Sequence, residues 1–370
     1  MISSAIIPQP LARLPWRLIF MILGIGMFGL INLYSAAGGS IDPWALRQGL
    51  AVGFFLTVAI FLSKVRESFV KQVTAPVFAA IVLMLIAVDI LGFVGKGAQR
   101  WLDLGFIRLQ PSEFMKPAIA LMLARFYELL PPSEIRKFRA VWPAALLIAV
   151  PAGLVILQPD LGTGLMVTFA GVTVMFLAGV PLRWFLIPGV TLAAAIPIVY
   201  QFLHGYQRKR IDIFLDPESD PLGAGYHITQ SKIAIGSGGW FGKGYLQGSQ
   251  SHLQYLPEGH TDFAFAALVE EWGMFGGTIV ILAWLMVLRW SLQVAANAPT
   301  KFGRLSCAGL NAVLFSYFAI NLLMVMGLAP VVGIPLPMIS YGGSAVMTVM
   351  ICLGLLMSFE RQQRTSSRLS

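Results

Sequence analysis

The sequence is short of charged residues and of cysteine. Asp, Glu, Lys and Arg make up 12% of its 370 residues, while 57% are hydrophobic and the mean hydropathy is +0.77. Soluble domains carry about 25% charged residues. The composition therefore argues against a soluble globular protein and for one that crosses a membrane several times. Cys307 and Cys352 both lie in hydrophobic segments, which argues against a disulfide framework and a thiolate metal site.

The sequence also disfavours three functional classes: nucleotide-binding P-loop proteins, transporters built from inverted repeats, and nucleic-acid-binding proteins. The glycine-rich stretch at 236–244 lacks the Gly-Lys-Ser/Thr of a nucleotide P-loop, and we interpret it as flexible backbone that approaches a ligand closely. No repeat of broken hydrophobic segments is visible, which disfavours a transporter built from inverted repeats. The net charge is +9, but the basic residues lie mostly in short loops. That pattern reflects membrane topology and predicts no nucleic-acid partner.

What the sequence does contain is ten hydrophobic segments, each of roughly the 20 residues that a helix needs to cross a bilayer. They cover 17–36, 44–62, 74–95, 111–130, 140–158, 161–180, 182–203, 263–290, 305–328 and 338–359. Lys and Arg concentrate in the loops that lie inside if the N-terminus is cytoplasmic. We therefore predict an all-α polytopic membrane protein, with one integral membrane domain over 1–370. Both termini are cytoplasmic, and a long extracytoplasmic loop covers 204–262.

The fourth segment is the weakest because it carries Glu113 and Lys116. These two side chains are three residues apart and share one helix face, and inside a membrane they are costly unless partnered or hydrated. They are either an ion pair that locks helix packing or part of a polar cavity open to the outside. Arg100 and Trp101, in the preceding loop, either anchor the chain at the membrane interface or contact a substrate.

Two other polar clusters lie in predicted outer loops. Asp160 stands just before the sixth segment, where it either caps the helix or belongs to a site. The long loop begins with the basic run Arg208, Lys209 and Arg210. This run either binds anionic lipid headgroups or holds a phosphate-bearing lipid substrate.

Glu258, His260 and Asp262 fall within five residues at the end of the long loop. Such a triplet is compatible with a metal site, with an acid–base centre at a low-dielectric boundary, or with a cap of the following helix, formed by Thr261 or Asp262. Glu270 lies eight residues after Asp262, about two helical turns. This spacing predicts that the two carboxylates face the same side and form a continuous polar path into the membrane.

These residues, taken together, resemble the SEDS family (shape, elongation, division, sporulation) of bacterial cell-wall proteins. Five motifs carry the resemblance in the family's order: Gly97-…-Gln99-Arg100-Trp101, Gln110-Pro111-Ser112-Glu113-…-Lys116, Gln158-Pro159-Asp160-Leu161-Gly162-Thr163, Pro257-Glu258-…-His260-Thr261-Asp262-Phe263 and Pro337-Met338-Ile339-Ser340-Tyr341-Gly342-Gly343-Ser344. The stretches 98–105 and 331–337 are similar to the elongation branch, RodA, rather than the division branch, FtsW. Two positions depart from the pattern: Gly259 replaces a usual basic residue, and Ala264 replaces a larger aliphatic one.

The resemblance implies a peptidoglycan glycosyltransferase that polymerises lipid II into glycan strands, for cell elongation and rod shape. The implied location is the bacterial inner membrane, with the site on its periplasmic face. The implied partner is a class B penicillin-binding protein, the transpeptidase that cross-links the strands. On this resemblance the family's essential aspartate maps to Asp262, while Glu113 and Lys116 map to functionally important positions.

We expect Asp262 to act as the base that activates the acceptor sugar hydroxyl. The undecaprenyl diphosphate leaving group calls for cations or a metal, and Asp262 and Glu258 are the expected ligands of a divalent ion such as Mg²⁺ or Mn²⁺. The expected substrate-binding residues are Arg100, Trp101, Glu113, Lys116, Asp160, Arg208, Arg210, Glu258 and His260. Two alternatives stay open: a lipid II flippase, and a scaffold that activates a penicillin-binding protein without catalysis.

Overall fold

A computed structural model of the chain describes residues 14–95, 98–103, 108–202, 205–216, 220, 223–253, 255–256 and 258–366. Over these residues the fold is almost entirely helical, with one small antiparallel sheet of three short strands. The helices are α1 Trp16–Ala36, α2 Trp44–Leu62, α3 Glu67–Leu91, α4 Pro111–Leu129, α5 Phe138–Leu157, α6 Leu161–Ala178, α7 Arg183–Phe202, α8 Gly205–Leu215, α9 Ala224–Gly238, α10 Ser249–His252, α11 Ala264–Asn297, α12 Lys301–Val325 and α13 Gly343–Ser366. The strands are β1 Phe93–Gly95, β2 Ala98–Asp103 and β3 Arg108–Leu109.

Each of the ten predicted hydrophobic segments overlaps a long helix, and the prediction of an all-α polytopic membrane protein is confirmed. Eight helices in the described part of the chain are long and apolar enough to cross a membrane. The other two predicted spans are α4, which carries Glu113 and Lys116, and α7, which is apolar over Arg183–Ala195. The orientation of the termini stays a prediction.

Several of the predicted boundaries are wrong, among them the end of the eighth span at 290, since α11 continues to Asn297. The third span was placed at 74–95, but α3 begins at Glu67 and ends at Leu91, because the helix continues into a polar turn that hydropathy leaves out. The last span was placed at 338–359, but α13 begins at Gly343. The apolar residues before it, including Leu336 and Ile339, are buried in a non-helical segment, and hydropathy does not separate the two states.

Helix α12 lies at the centre of the bundle, where it packs against α4, α6 and α11. Helix α13 packs against α2, and α9 lies across α11 and α12. We call the end of the bundle at which α4, α6, α11 and α13 begin the loop end. The candidate site lies there, because the polar segments singled out in the sequence connect the helices at that end.

Helix α11 is broken at Gly273, whose backbone is left-handed (φ 67°, ψ −170°). The glycine-rich stretch fills the break, because a Cβ on Gly273 would collide with the backbone nitrogen of Gly242. Four backbone hydrogen bonds join them: Lys243 N–H to Glu270 O at 3.0 Å, Gly244 N–H to Glu271 O at 3.1 Å, Met274 N–H to Gly239 O at 2.9 Å and Phe275 N–H to Trp240 O at 3.1 Å. The backbone that this stretch approaches is therefore that of α11, and the break leaves these four helix groups satisfied.

Candidate functional site

The segment that precedes α11 is folded into tight turns. Glu258 has a left-handed backbone (φ 54°), and its carbonyl accepts the Thr261 N–H at 3.0 Å. Its carboxylate accepts the Thr261 hydroxyl at 2.7 Å, and His260 Nε2 lies 4.0 Å away. The local fold thus gathers the carboxylate, the hydroxyl and the imidazole at one place on the loop end.

His260 is fixed from two sides. Its ring stacks on Trp44, the first residue of α2, with centroids 4.0 Å apart and an angle of 10° between the planes. Its carbonyl accepts the Tyr341 N–H at 2.8 Å. The ring of His260 is therefore held by α2, and its backbone by the segment before α13.

Asp262 is half-buried and lies just ahead of α11. Its carbonyl accepts the Asn321 side-chain amide at 2.9 Å. Its Oδ2 lies beside Gly333, since a Cβ built there would be 3.4 Å from that oxygen. The N-cap of α11 is Phe263, which has no side-chain cap bond, so the interpretation of Asp262 or Thr261 as the cap is wrong.

The prediction that Asp262 and Glu270 lie on the same face of one helix is also wrong. The helix begins at Ala264, so helical spacing does not extend back to Asp262. Glu270 is fully buried and its carboxylate bonds the segment at 243–250: Lys243 Nζ at 2.6 Å, Ser249 Oγ at 3.2 Å and Gln250 N–H at 2.9 Å. Glu270 thus ties the glycine-rich stretch to the break in α11 rather than extending the site inward.

The next residue, Glu271, faces α1 instead. The Ser35 hydroxyl of α1 donates to its carboxylate, and the Tyr245 hydroxyl donates to the Ile31 carbonyl at 3.4 Å. Burial, with the Glu271 charge as a smaller cause, raises the pKa of Tyr245 above its usual value of 10.0. Its phenol therefore stays a neutral donor at physiological pH.

Glu113 and Lys116 form a closed ion pair, with Lys116 Nζ 2.6 Å from Glu113 Oε1. They are 5% and 1% exposed. Lys116 also donates to the Tyr317 hydroxyl at 2.7 Å, Thr348 donates to Glu113 Oε2 at 2.7 Å, and Tyr317 donates to the same carboxylate. Of the two interpretations, the packing lock between α4, α12 and α13 describes this geometry. A cavity open to the outside does not, and substrate contact by the pair stays a prediction.

Arg100 reaches from β2 to the turn between α5 and α6. Its Nε donates to the Gln158 carbonyl at 3.1 Å, a second group donates to the Pro159 carbonyl, and Nη1 lies 4.0 Å from Asp160 Oδ2. Asp160 caps α6, as the first interpretation predicts, by accepting the Thr163 N–H at 3.2 Å. The Arg100 side chain stays 28% exposed, and Trp101 pairs with Phe93 in the small sheet.

The basic run lies in α8. Arg208 donates to the carbonyls of Tyr200 and Gln201 at 3.1 and 2.9 Å, so it satisfies backbone acceptors at the end of α7. The side chain of Arg210 lies outside the described residues. Phosphate binding by this run stays a prediction, with Arg208 already engaged in holding two helices together.

Sequence reasoning missed the buried polar residues that hold these groups in place. They are Asn32, Gln48, Tyr317, Asn321, Ser340 and Thr348, all 1% exposed or less. A signal for them exists, since an amide inside an apolar membrane segment needs a specific partner. Within the described residues, no group of three or more His, Cys, Asp or Glu side chains comes together as a metal site.

Comparison with known proteins gives one family. A family model described as "Cell cycle protein", covering FtsW, RodA and SpoVE, matches residues 14–365. The chain is 43% identical over 355 residues to the peptidoglycan glycosyltransferase MrdB of Escherichia coli (strain K12), across 95% of this chain and 94% of that protein.

Solved structures agree with the sequence comparison. A chain of a peptidoglycan synthase complex that coordinates polymerization and crosslinking superposes with a TM-score of 0.82 at 32% identity, over 95% of this chain and 98% of that one. The rod shape determining protein RodA of Thermus thermophilus superposes with a TM-score of 0.69 at 29% identity, over 94% and 97%. The resemblance indicated by the five motifs is confirmed, and the chain belongs to the FtsW, RodA and SpoVE family of cell cycle proteins, the SEDS family.

Proposed function

We propose that this protein is a peptidoglycan glycosyltransferase of the RodA type, which polymerises lipid II into glycan strands and releases undecaprenyl diphosphate. The observation that carries the proposal is Asp262, a half-buried carboxylate residue just ahead of α11 whose backbone carbonyl is held by the Asn321 amide. The similarity to E. coli MrdB, itself named a peptidoglycan glycosyltransferase, supports the reaction class. A carboxylate at the boundary between membrane and water suits a base that must meet a sugar on a lipid anchor.

In the proposed reaction a hydroxyl oxygen of the acceptor sugar attacks the anomeric carbon of the donor. The bond from that carbon to the diphosphate breaks, and the diphosphate leaves with the electron pair. Asp262 takes the hydroxyl proton as the new bond forms. A positioned base of this kind contributes about 10²–10⁴-fold to the rate.

The negative charge that develops on the diphosphate needs positive partners. Arg100 is the predicted cation best placed for this role, because its side chain is partly exposed and lies beside Asp160 at the loop end. Lys116 is enclosed with Glu113, so we propose that this pair acts by fixing α4 against α12 and α13. His260 and Trp101 are proposed to contact the sugar or the membrane interface.

A divalent ion, Mg²⁺ or Mn²⁺, is part of the proposal. Mg²⁺ is usually held by one or two carboxylates together with substrate phosphates, and Asp262 and Glu258 supply two carboxylates within one short segment. When bound, the ion would stabilise charge on the diphosphate oxygens. We expect a chelator to abolish polymerisation and added Mg²⁺ or Mn²⁺ to restore it; full activity in the chelator would contradict the metal and leave the base assignment intact.

We propose that the protein resides in the bacterial inner membrane, with the loop end on the periplasmic face. The proposed partner is a class B penicillin-binding protein that cross-links the new strands. The similarity to a chain of a peptidoglycan synthase complex and the basic residues concentrated at the opposite end support these assignments.

The test is polymerisation of lipid II by purified protein in detergent, alone and with its partner. We expect Asp262→Asn and Asp262→Ala to lose at least 10²-fold in rate, because the proton acceptor is gone. Asp216→Asn, an exposed acid in the same loop region, serves as the matched control and should retain activity.

The outcomes separate three functions. Polymerisation retained in Asp262→Asn would remove the catalytic assignment. No product from the unmodified protein under either condition, combined with transport of lipid II across vesicles, would favour the flippase. Tolerance of Asp262→Asn together with strict dependence on the partner would favour the scaffold.

A further inference from the structure

The motif at 337–344 has no role in the mechanism above, yet it lies against the candidate site. Gly343 and Ser344 begin α13, and the other residues of the motif belong to a non-helical segment between α12 and α13 that the sequence assigned partly to a membrane helix. Within it, Ile334, Leu336, Met338 and Ile339 are buried at 4% exposure or less. Helix α1 comes so close that a Cβ on Gly29 would collide with the Met338 carbonyl. The buried side chains of this segment thus form part of the protein interior, and we call its residues 333–342 the wall.

Asn321 joins this wall to Asp262. It is a fully buried amide on α12, and its Nδ2 donates to two carbonyls, that of Asp262 at 2.9 Å and that of Ile334 at 2.7 Å. Because both neighbours are acceptors, the amide must present its NH₂ to them, which fixes its orientation. Gly333, the residue before Ile334, is then held against the Asp262 carboxylate.

Gln48 provides a second link to the same wall. It is a fully buried amide on α2, and it donates to the Ser340 carbonyl at 2.8 Å and accepts the Gly342 N–H at 3.2 Å. Between these two residues, the Tyr341 N–H donates to the His260 carbonyl. The wall is thus bonded to both ends of the segment from His260 to Asp262.

The NH₂ and the oxygen of the Asn321 amide differ in their hydrogen bonding. Both its donors have acceptors, but its Oδ1 is buried with no hydrogen-bond partner among the described residues. A buried acceptor without a hydrogen-bond partner destabilises the folded protein. The Asn321 amide therefore leaves its own oxygen unpaired within this part of the chain while its NH₂ holds two carbonyls from segments that are far apart in sequence.

We infer that Asn321 is a positioning residue for the proposed base. By holding the Asp262 carbonyl next to the Ile334 carbonyl, it sets the Asp262 carboxylate against Gly333 and fixes the direction in which it can meet a substrate hydroxyl. The inference rests on the proposed function for its catalytic consequence, since a displacement of about 1 Å can cost about 10²-fold in rate. Its structural part, the placement of residue 262, does not depend on any activity.

Two measurements test it. Asn321→Leu removes the donors at similar size, and Asn321→Asp keeps the shape but sets an oxygen against two carbonyls. We expect either variant to lower kcat by about tenfold or more with KM for lipid II within about twofold, because binding groups elsewhere are untouched. Ser316→Ala, on the same helix, is the matched control, since Ser316 is buried but bonds within its own helix. It should keep the original kcat.

The second measurement reports the position of residue 262 without relying on activity. In an Asp262→Cys protein, the rate of thiol modification reports how residue 262 is presented, while Cys307 and Cys352 are fully buried and stay unlabelled. We expect Asn321→Leu to change this rate by about threefold or more, and Ser316→Ala to leave it unchanged. If Asn321→Leu does not yield monodisperse protein, Asn321→Ser, which keeps one donor, takes its place with a smaller expected change.

An unchanged labelling rate in the Asn321 variants would overturn the inference, whatever happens to kcat. Equal changes in the Ser316→Ala control would do the same, because they would indicate general loosening of α12. A proposed function that fails, with Asp262→Asn still active, leaves the labelling result standing. The two failures are therefore distinguishable.

Discussion

At the residue scale, Glu113 and Lys116 form a pair in which each charge depends on the other. Both side chains are buried, and the remaining positions of the carboxylate are filled by Tyr317 and Thr348. Removing one partner of such a pair leaves an uncompensated buried charge and costs about 3–5 kcal/mol, whereas replacing both by apolar groups of similar volume is often neutral.

This argument predicts a stability pattern. Lys116→Met alone and Glu113→Leu alone should each lower the Tm clearly, with a loss of about 3 kcal/mol, and the double variant should recover most of it. Thermal unfolding in detergent measures all three proteins. Additive losses in the double variant would mean that the pair does not act as a unit. Polymerisation by a stable double variant then tests whether the charges have a separate role toward substrate.

At the scale of elements, the break in α11 organises the loop end. A helix interrupted inside a membrane exposes backbone groups that must find partners, and the glycine-rich stretch supplies them over 239–244. Glu270 and Lys243 add a side-chain bond to the same junction. The glycine-rich stretch therefore completes the backbone hydrogen bonding of α11, although it precedes that helix in the chain.

The junction predicts that Gly273→Ala is damaging. The left-handed φ of 67° and the contact with Gly242 both oppose a Cβ, and Ala at a positive φ costs more than about 1 kcal/mol. We expect a lower Tm and faster proteolysis within 239–250. The matched control is Gly24→Ala in α1, where a Cβ meets nothing within 4 Å. A normal Tm for Gly273→Ala would show that the break tolerates a side chain.

At the scale of the whole molecule, the two ends of the bundle differ in chemistry. The loop end carries the half-buried carboxylate and the buried amides. The opposite end is tied by charges: Lys71 lies 3.0 Å from Glu67 and 2.6 Å from Glu128, and Thr300 donates to Glu67 at 2.7 Å. These bonds join α3, α4 and the start of α12, so the two ends are held by different sets of contacts.

The proposed orientation predicts opposite accessibility of the two ends. Cysteine at position 216 (Asp216→Cys) should react with an impermeant thiol reagent in cells whose outer membrane is permeabilised. Cysteine at the exposed Lys137, introduced as Lys137→Cys, should react only after the inner membrane is opened. The unmodified protein is the control, because both its cysteines are buried. The reverse pattern would invert the topology and place the site in the cytoplasm.

The sequence by itself determined the helices and the family. Each membrane-spanning helix is specified by a local, mostly apolar run, because a helix needs about 20 residues to cross the bilayer, and the motifs that indicate the family are short continuous stretches of sequence. The helix cap at Asp160 and the ion pair of Glu113 with Lys116 are also local, since each joins residues three positions apart.

Only the tertiary structure decided which polar groups meet across helices. Asn321 and Asp262 are 59 positions apart, and Glu113 and Thr348 are 235 apart. Hydropathy sums the transfer free energy of each residue and carries no information about pairs, so it could not place these contacts. It did place the start of the eighth segment at 263, next to the observed start of α11 at Ala264. The wrong prediction of a face shared by Asp262 and Glu270 came from extending helical spacing back across that start. The residues before this helix are held by tertiary hydrogen bonds, from the Asn321 amide to the Asp262 carbonyl and from the Tyr341 N–H to the His260 carbonyl, and such bonds between distant segments are not encoded in any local run of residues.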